Sequence, residues 1–518
     1  MVSAFFFFVL TLTPTVQVIA AEPFAETWRR TYGGTDTEDY AYSMVQTGDG
    51  GFAIAGTTRL YSTATRSAQL IKTDANGNQQ LRVTYSKSEC DQEAYSVVQT
   101  SDGGYVIAGK IDPDSWAYGD VWLAKTDANG NIQWSKNYGG IGLDVAQSVV
   151  QTSDGGYVLA GYTVEYDDSN YIIVGGDFWL VKTDANGNAL WNRTYGGNNN
   201  DRAQALVETD DGGYAITGYT SSFGAGEFDF WLVKADSAGN EQWNKTYGGT
   251  SGDVARALVE TVDGGYALTG YTRSFGAGGR DFWLVKTDAN GNALWNRTYG
   301  GAGSDEAYSV VQTSDGGYAI TGYTNSGAGR TDVWLVKTDA NGNALWNRIY
   351  GWVGFDGAYS VVQTSDGGYT IAGYKSDGGE YTIAGYTYYY GAGNSDFWLV
   401  KTDPNGNVAI GLWEQWGLLI VRVLIAGVFS ASAIAIGGRI MRRRKLLRRQ
   451  ARFNDSVNRQ GMIQIGTLSK ELKLDDDSTG LLLKKAIEDG TLNGYFTEDG
   501  KAFITKQYLK KTLDDKLG

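Results

Sequence analysis

One sequence pattern recurs seven times and restricts the fold more than any other feature of the chain. The copies begin at Trp28, Leu81, Trp134, Trp191, Trp243, Trp295 and Trp346, with 51 to 57 residues between successive starts. Each copy contains four short runs of aromatic and β-branched residues, which predict four strands. Four antiparallel strands per repeat are typical of a propeller blade. The sequence therefore predicts an all-β seven-bladed propeller over residues 24–408, with a two-strand-per-turn solenoid as the alternative.

The order of strands within a blade follows from the turns. The copy that opens at Trp295 contains the turns Ser314-Asp315-Gly316-Gly317 and Asp339-Ala340-Asn341-Gly342-Asn343, in which Gly and Asn accept positive φ. The strand near Ala307 is predicted to be innermost, and the Trp-bearing strand outermost. The array starts with an outermost strand, Trp28–Tyr32, and ends at Asn407 without one. Pairing the two ends would close the ring and cover its sheet edges.

Three motifs of the repeat resemble those of quinoprotein-like and other prokaryotic surface propellers. They are the D-G-G-Y turn at residues 315–318, the W-L-V-K-T-D strand at residues 334–339 and the G-N-x-x-W turn at residues 342–346. The resemblance implies the propeller architecture. It implies no quinone site, because the chain has no vicinal Cys pair. The first two copies of the repeat are degenerate.

Composition removes several classes of chemistry. The chain has no His, and Cys90 is its single Cys, so a Ser-His-Asp triad, a His-ligated zinc site and an internal disulfide are excluded. Carboxylates, Lys and Tyr remain, and none of them has an unperturbed pKa near neutrality. We therefore predict that the chain is not an enzyme and that it needs no cofactor.

Two apolar segments predict a single-pass membrane topology. Residues 1–21 are typical of a signal peptide, with an uncleaved anchor as the alternative, and residues 416–438 are long enough for a transmembrane helix. Residues 439–460 form a basic juxtamembrane segment, within which residues 439–459 would contact anionic lipid headgroups. The positive-inside rule places the propeller outside the cell membrane and the C-terminus in the cytoplasm. The alternative for the second segment is a buried helix.

Two loops of each copy, after Tyr-Gly-Gly and before Trp-Leu-Val, are predicted to share one face. Residues 376–386 nearly repeat residues 365–374, which indicates an extra hairpin. Exposed aromatic and acidic groups in these loops fit a protein or glycan ligand. The alternative is that the loops bind no ligand and that their sequences vary for lack of constraint. The candidate ligand-face residues are Trp116, Tyr118, Tyr166, Asp167, Asp168, Tyr388, Tyr389 and Tyr390.

One Asp recurs two residues before the inner-strand Ala in six copies. The six residues are Asp39, Asp144, Asp201, Asp253, Asp305 and Asp356. Gathered at one channel mouth they would offer oxygen ligands to Ca²⁺, the one candidate metal. The favoured interpretation is that each Asp caps its own loop by accepting backbone N–H groups.

Glycosylation acceptors occur at one equivalent position of three successive copies. They are Asn192, Asn244 and Asn296, each followed two residues later by Thr. All three fall on the predicted outermost strand, where a glycan has room. The alternative is that the triplet was copied with the repeat and carries no glycan.

Residues 461–518 predict a small α+β domain. Helical segments after Thr467 and Ser478 precede a two-stranded wing formed by residues 490–496 and 502–505. The stretch Gly490-Thr491-Leu492-Asn493-Gly494 resembles winged helices of the PCI and DDRGK type. This segment carries 9 Lys and Arg against 10 Asp and Glu, so it lacks the basic face of a DNA reader. A cytoplasmic protein partner is expected rather than nucleic acid.

These features predict a cell-surface protein whose propeller binds a protein or glycan and whose winged helix docks a cytoplasmic partner. A carboxylate-based glycoside hydrolase or lyase on the loop face is one alternative. A membrane-tethered DNA-binding regulator is the other.

Overall fold

The structure is a computed structural model that divides into two units, residues 1–409 and residues 410–518. In the first unit it describes residues 27–408 except 35, 64, 88–89, 113–118, 168–171, 327–330, 352–354, 377–380, 384–385 and 389–394. In the second it describes residues 462–465, 470, 483–484, 494–497 and 501–505. The two units are considered separately below.

The first unit is built from seven four-stranded antiparallel sheets, which confirms the seven-bladed propeller. Blade 1 comprises β2 (Thr37–Gln46), β3 (Phe52–Leu60), β4 (Arg66–Thr73) and β5 (Gln79–Tyr85). Blade 2 comprises β6 (Gln92–Gln99), β7 (Tyr105–Ile111), β8 (Asp120–Thr126) and β9 (Ile132–Tyr138), and blade 3 comprises β10 (Leu143–Gln151), β11 (Tyr157–Asp167), β12 (Ile172–Thr183) and β13 (Ala189–Tyr195). Blade 4 comprises β14 (Asp201–Glu208), β15 (Tyr214–Thr220), β16 (Asp229–Ala235) and β17 (Glu241–Tyr247). Blade 5 comprises β18 (Asp253–Glu260), β19 (Tyr266–Thr272), β20 (Asp281–Thr287) and β21 (Ala293–Tyr299), and blade 6 comprises β22 (Asp305–Gln312), β23 (Tyr318–Thr324), β24 (Asp332–Thr338) and β25 (Ala344–Tyr350).

Blade 7 closes the ring with strands from both ends of the repeat array, as the sequence predicts. Its strands are β26 (Asp356–Gln363), β27 (Tyr369–Ser376), β30 (Ser395–Thr402) and, from the start of the array, β1 (Trp28–Tyr32). Strand β1 pairs antiparallel with β30 and buries the rings of Trp28 and Tyr32. The edge of β30 is thereby covered, and the sheet has the same four strands as its neighbours.

Neighbouring blades are joined by a repeated hydrogen bond between an outermost strand and the following blade. The Tyr hydroxyl at the end of each outermost strand donates to a Gly carbonyl in the third turn of the next blade, over 2.6–2.8 Å. The seven pairs are Tyr32–Gly77, Tyr85–Gly130, Tyr138–Gly187, Tyr195–Gly239, Tyr247–Gly291, Tyr299–Gly342 and Tyr350–Gly406. These glycines have φ between 71° and 77°, a conformation that explains the Asn-Gly-Asn turns of the sequence. The complete set of contacts joins each blade to the next around the ring.

Within each blade, a buried Lys on the third strand forms an ion pair with the first turn. The Lys ammonium lies 2.6–2.9 Å from the Asp of the first turn, and the seven pairs are Lys72–Asp49, Lys125–Asp102, Lys182–Asp154, Lys234–Asp211, Lys286–Asp263, Lys337–Asp315 and Lys401–Asp366. The Lys side chains are buried, whereas most of the Asp partners are half-exposed. The Asp-Gly-Gly and Lys-Thr-Asp motifs of the repeat are therefore two halves of one contact.

These ion pairs predict a loss of stability in acid. Hydrogen bonds from Lys72, Lys125 and Lys182 lower the pKa of their Asp partners from 3.8 to about 2. Because the folded pKa is depressed, the stabilisation is present above pH 3.8 and is lost as the pH falls toward 2. We expect the thermal unfolding temperature to fall through this window, measured by near-UV circular dichroism. An unfolding temperature that stays constant from pH 5 to pH 2 would contradict the expectation.

The long insertion of blade 7 contains the extra hairpin that the sequence predicts. Strands β28 (Tyr381–Ile383) and β29 (Tyr386–Tyr388) pair antiparallel, with Thr382 opposite Thr387. The local duplication of residues 365–374 has therefore added a hairpin between β27 and β30 and left the four-stranded blade intact.

In the second unit the structure shows a small sheet. Strands β31 (Met462–Gln464), β33 (Ala502–Thr505) and β32 (Gly494–Phe496) lie in that order, and the antiparallel β32–β33 pair matches the predicted wing. Strand β31 was not predicted. Of the helices that would complete a winged helix, the structure describes only residues 470 and 483–484, so that domain is not shown.

The predicted membrane segments also fall outside the described residues. These segments are residues 1–21, 416–438 and 439–460. Among the residues that the structure does describe, no helix has the length and apolar character required to cross a membrane. The single-pass topology therefore stays a prediction.

Candidate functional site

Each inner strand bulges at one residue, and the seven bulged residues meet around the axis of the propeller. Strand pairing skips one position between the inner-strand Ala and the Ser or Ala two residues later. The skipped residues, called here the bulge ring, are Tyr42, Tyr95, Gln147, Gln204, Arg256, Tyr308 and Tyr359. A bulge re-aims a side chain that regular pairing would place elsewhere, and all seven line one cavity.

A Gly on the second strand makes each bulge possible. In blade 5, a Cβ added to Gly270 would lie 1.9 Å from the carbonyl oxygen of Val254 and 2.9 Å from the Cα of Ala255. The other six blades show the same approach at the glycines Gly56, Gly109, Gly161, Gly218, Gly322 and Gly373. The Gly of the second strand, followed by Tyr, Thr or Lys, is thus the structural counterpart of the bulge ring.

The cavity on the axis, called here the central funnel, has a volume of about 650 Å³. Besides the bulge ring it is lined by Ser43, Ser96, Ser148, Ser309, Ala205, Val254, Tyr162, Tyr219, Tyr271, Phe228 and Arg202. Phe228 lies in the loop before β16, so the central funnel reaches the face formed by the loops before the third strands. A hydrogen bond from the amide of Asp253 to the carbonyl of Phe228 joins this loop to the start of the next inner strand. The two loop sets therefore share a face, as predicted.

Four tyrosines of the bulge ring form a continuous wall, the aromatic arc. The ring centroids of Tyr42 and Tyr95 lie 5.4 Å apart, those of Tyr42 and Tyr359 5.2 Å apart, and those of Tyr308 and Tyr359 4.9 Å apart. Burial, reinforced by Glu93, raises the pKa of Tyr42, and burial also raises the pKa of Tyr359. These phenols stay neutral and present flat rings with hydroxyl groups.

The opposite wall of the bulge ring is polar. Arg256 donates through Nη1 to Oε1 of Gln204 over 3.0 Å, and its guanidinium lies 5.3 Å from the ring centroid of Tyr308. Gln147 completes this wall. Two residues before Gln204 on β14, the Arg202 guanidinium lies 4.5 Å from the ring centroid of Tyr162. The central funnel therefore has an aromatic side and a side of amides and guanidinium groups.

Two glutamates lie beside the aromatic arc and have no counterpart in the other blades. Glu93 accepts from the Tyr95 hydroxyl over 2.9 Å, and Glu306 accepts from the Tyr308 hydroxyl over 3.0 Å. Both are buried and paired with cations: Glu93 lies 3.1 Å from Arg66 and 3.6 Å from Lys110, and Glu306 contacts Arg280. Other blades carry Tyr40, Val145, Arg202, Val254 and Gly357 at this position.

Four of the six repeated Asp residues cap their own loops, as the favoured interpretation expects. The carboxylates of Asp144, Asp201, Asp253 and Asp305 each accept the backbone N–H of the second Gly of the preceding Gly-Gly pair, over 2.9–3.0 Å. Asp39 accepts from the Thr37 hydroxyl, and Asp356 accepts from the Ser376 amide. In the described part of the chain, no group of three or more acidic or Cys side chains is arranged to hold a metal ion. The structure thus gives no support to the calcium interpretation.

The capping Asp faces a second buried Asp from the preceding blade, a pairing that sequence reasoning missed. A Cβ added to Gly248 would lie 1.7 Å from Oδ1 of Asp229 and 2.9 Å from Oδ2 of Asp253. Burial, opposed by the amides of Ala225 and Gly226 and reinforced by Asp253, raises the pKa of Asp229. Space for two carboxylates explains why Gly occupies this position.

The remaining candidates of the sequence are only partly described. Trp116, Tyr118, Asp168, Tyr389 and Tyr390 lie outside the described residues; Tyr166 and Asp167 belong to β11 and Tyr388 to β29. The acceptors Asn192, Asn244 and Asn296 are exposed on outermost strands, where the sequence predicts them. Oδ1 of Asn244 and of Asn296 each accept from an indole N–H, of Trp231 and Trp283 respectively.

Sequence reasoning missed the bulge ring, although a signal was present. Between the constant Ala and the following Ser or Ala, the seven copies carry Tyr, Tyr, Gln, Gln, Arg, Tyr and Tyr. A variable residue between constant neighbours on the innermost strand could have been identified as the residue that faces the axis.

Comparisons with known proteins give a partial match. No protein-family model matches the chain. The chain is 26% identical over 260 residues to the Regulatory protein FlaEY of Caulobacter vibrioides, which covers 43% of this chain and about a quarter (27%) of that protein. Among solved structures, an acylaminoacyl peptidase of Pyrococcus horikoshii shares 9% identity with a TM-score of 0.40, and the match covers 74% of this chain and 54% of that one. An alpha-L-arabinanase of Penicillium chrysogenum shares 11% identity with a TM-score of 0.37, and the match covers 75% of this chain and all of the other.

The prediction that the chain is not an enzyme is corrected by these comparisons. The propellers of solved structure that resemble it in fold include a peptidase and an arabinanase. The prediction rested on the absence of His and of any side chain with an unperturbed pKa near neutrality, which leaves carboxylates available, and Glu93 and Glu306 are carboxylates that do not repeat between blades. At such low identity the likeness concerns the fold alone and assigns no reaction to this chain.

Proposed function

We propose that the protein binds a carbohydrate in the central funnel. The observation that carries the proposal is the division of the bulge ring into an aromatic arc and a wall of amide and guanidinium groups. Sugar rings have apolar faces that pack against aromatic rings and hydroxyl groups that pair with amides and serine hydroxyls. The volume of about 650 Å³ lies within the usual range of ligand pockets, roughly 300–1,000 Å³.

We further propose that this binding takes place outside the cell. Residues 1–21 as a signal peptide and 416–438 as a transmembrane helix would present the propeller outside the cell, with residues 439–459 against anionic lipid. The cytoplasmic residues 461–518 would then dock a protein partner. The acidic propeller and the exposed acceptors Asn192, Asn244 and Asn296 support this arrangement.

Substitutions in the bulge ring should weaken sugar binding. We expect Tyr359→Ala to reduce affinity about tenfold, because it removes a stacking surface worth ~1.4 kcal/mol, and Gln204→Ala to reduce it several-fold. Affinities would be measured by calorimetry with oligosaccharides selected on a glycan array. The control Arg297→Ala changes the outer surface of blade 5 and should bind like the unmodified protein. Equal affinity in all variants would place the ligand outside the central funnel.

A second candidate function is cleavage of a glycosidic bond by hydrolysis or by elimination. Glu93 and Glu306 favour it. A glycosidase needs a pair of catalytic carboxylic acids. Glu93 and Glu306 occur in one blade each and could form such a pair, whereas the Asp residues that recur from blade to blade stabilise the fold. Chromatography of the same oligosaccharides after incubation with the protein distinguishes the two functions. Shortened products indicate an enzyme, and unchanged chains at saturating protein indicate binding alone.

A further inference from the structure

We propose that Arg202 and Arg256 form an anion-binding subsite in the central funnel and that the ligand is an acidic sugar, with a carboxylate or sulfate group. The inference rests on the proposed carbohydrate binding and specifies its ligand class. The two residues lie on β14 and β18, the inner strands of neighbouring blades 4 and 5.

The charge inside the central funnel is opposite to that of the chain. The chain has a net charge of -14, yet among the described residues that line the central funnel there are two Arg and neither Asp nor Glu. The local positive charge of such a cavity attracts anions, although the protein as a whole is acidic. The ligand chemistry that this distribution favours is anionic.

The two guanidinium groups differ from the other cations near the axis. Arg66 and Lys110 are paired with Glu93, and Arg280 is paired with Glu306. In the part of the chain that the structure describes, Arg202 and Arg256 form no ion pair. The Nε of each is buried without an acceptor, as is that of Arg280, whose charge is however paired with Glu306. A half-buried guanidinium without an anionic partner is costly, and an oxyanion would offset that cost.

The orientation of the two groups suits an oxyanion. Arg202 stacks on Tyr162, and Arg256 lies between Tyr308 and Tyr271, 5.3 and 6.0 Å from their ring centroids. Burial raises the pKa of Tyr219, and both arginines oppose that rise, so both act on the same phenol from one wall. Stacking fixes the plane of a guanidinium and leaves its edge for bidentate pairing with carboxylate or sulfate.

The test compares matched ligands on the full chain in detergent. Oligogalacturonate, sulfated oligogalactoside and neutral oligogalactoside would be titrated against the unmodified protein, Arg202→Gln, Arg256→Gln and the outer-surface control Arg297→Gln. We expect one acidic ligand to bind at least tenfold more tightly than the neutral one. Each funnel variant should abolish that preference, losing more affinity for the acidic ligand than for the neutral one. Which acidic ligand binds identifies carboxylate or sulfate as the preferred group.

A second measurement separates this subsite from the sugar-binding proposal. Sodium sulfate and sodium acetate, compared with chloride at equal ionic strength, stabilise any folded protein to some extent by exclusion from its surface. They should raise the unfolding temperature of the unmodified protein and of Arg297→Gln more than that of Arg202→Gln or Arg256→Gln, because only the first two can bind the anion in the subsite. If sugars fail to bind and the anion effect persists, the subsite stands and the carbohydrate proposal fails. If acidic and neutral sugars bind equally, or if no anion effect depends on these arginines, the subsite is wrong.

Discussion

Gly270→Ala is expected to destabilise blade 5 by about 3–5 kcal/mol and to abolish ligand binding in the central funnel. The added Cβ would lie 1.9 Å from the carbonyl oxygen of Val254, a backbone atom that cannot rotate away. Strands β18 and β19 would have to separate at the bulge, where Arg256 leaves the regular pairing. The change therefore affects both the ladder of the blade and the position of one bulge-ring residue. Urea unfolding and calorimetric titration would measure the two losses.

The matched control is Gly264→Ala in the turn of the same hairpin. Gly264 has a φ of +76°, and a Cβ there would meet no atom within 4 Å. Its cost is the left-handed backbone alone, about 1–2 kcal/mol, with binding unchanged. If Gly270→Ala is no less stable than Gly264→Ala, close packing of strands at the bulge is not what requires Gly.

The architecture of the propeller follows from local features that repeat seven times. Turn residues such as Asp315-Gly316-Gly317 and the aromatic strands after them are specified within one copy, so each copy shows its four strands. The closure was predictable because the array begins with Trp28–Tyr32 and lacks an outer strand at its end. The contacts between motifs were harder to predict. The Lys286–Asp263 ion pair, for example, joins two motifs that look independent in the sequence.

The central funnel was harder to predict. It depends on an inner-strand residue that differs between copies, and on the closure of the ring that brings distant copies together. Tyr42 and Tyr95 come from the first two blades, and Tyr308 and Tyr359 from the last two. They become one aromatic arc because blade 7 lies beside blade 1. The repeated Asp residues, in contrast, are explained within single copies, because four of them accept the backbone amide of their own loop, as Asp253 does for Gly249.

Asp263→Ala is expected to cost about 2 kcal/mol of the free energy of unfolding. Lys286 is only 4% exposed, and its ammonium would keep the Thr287 carbonyl but lose its carboxylate partner. Burial alone would raise the pKa of Asp263, yet hydrogen bonds from Thr261 and Lys286 outweigh it and lower the pKa to about 2. The Asp side chain is 56% exposed, so solvent screening keeps the loss below the 3–5 kcal/mol typical of fully buried pairs.

The double variant Asp263→Ala/Lys286→Met identifies the cause of that loss. If an unpaired buried ammonium is responsible, replacing Lys286 by an apolar side chain of similar length should restore about 1 kcal/mol, measured by urea unfolding. The surface pair Arg59–Glu38 provides the control, since Arg59→Ala should change stability by less than about 0.5–1 kcal/mol. A double variant less stable than Asp263→Ala would show instead that the Lys286 contacts to the strand, rather than its charge pairing, hold the turn. Because the same pair occurs in all seven blades, the result for blade 5 applies to the contact by which each blade fixes its first turn against its third strand.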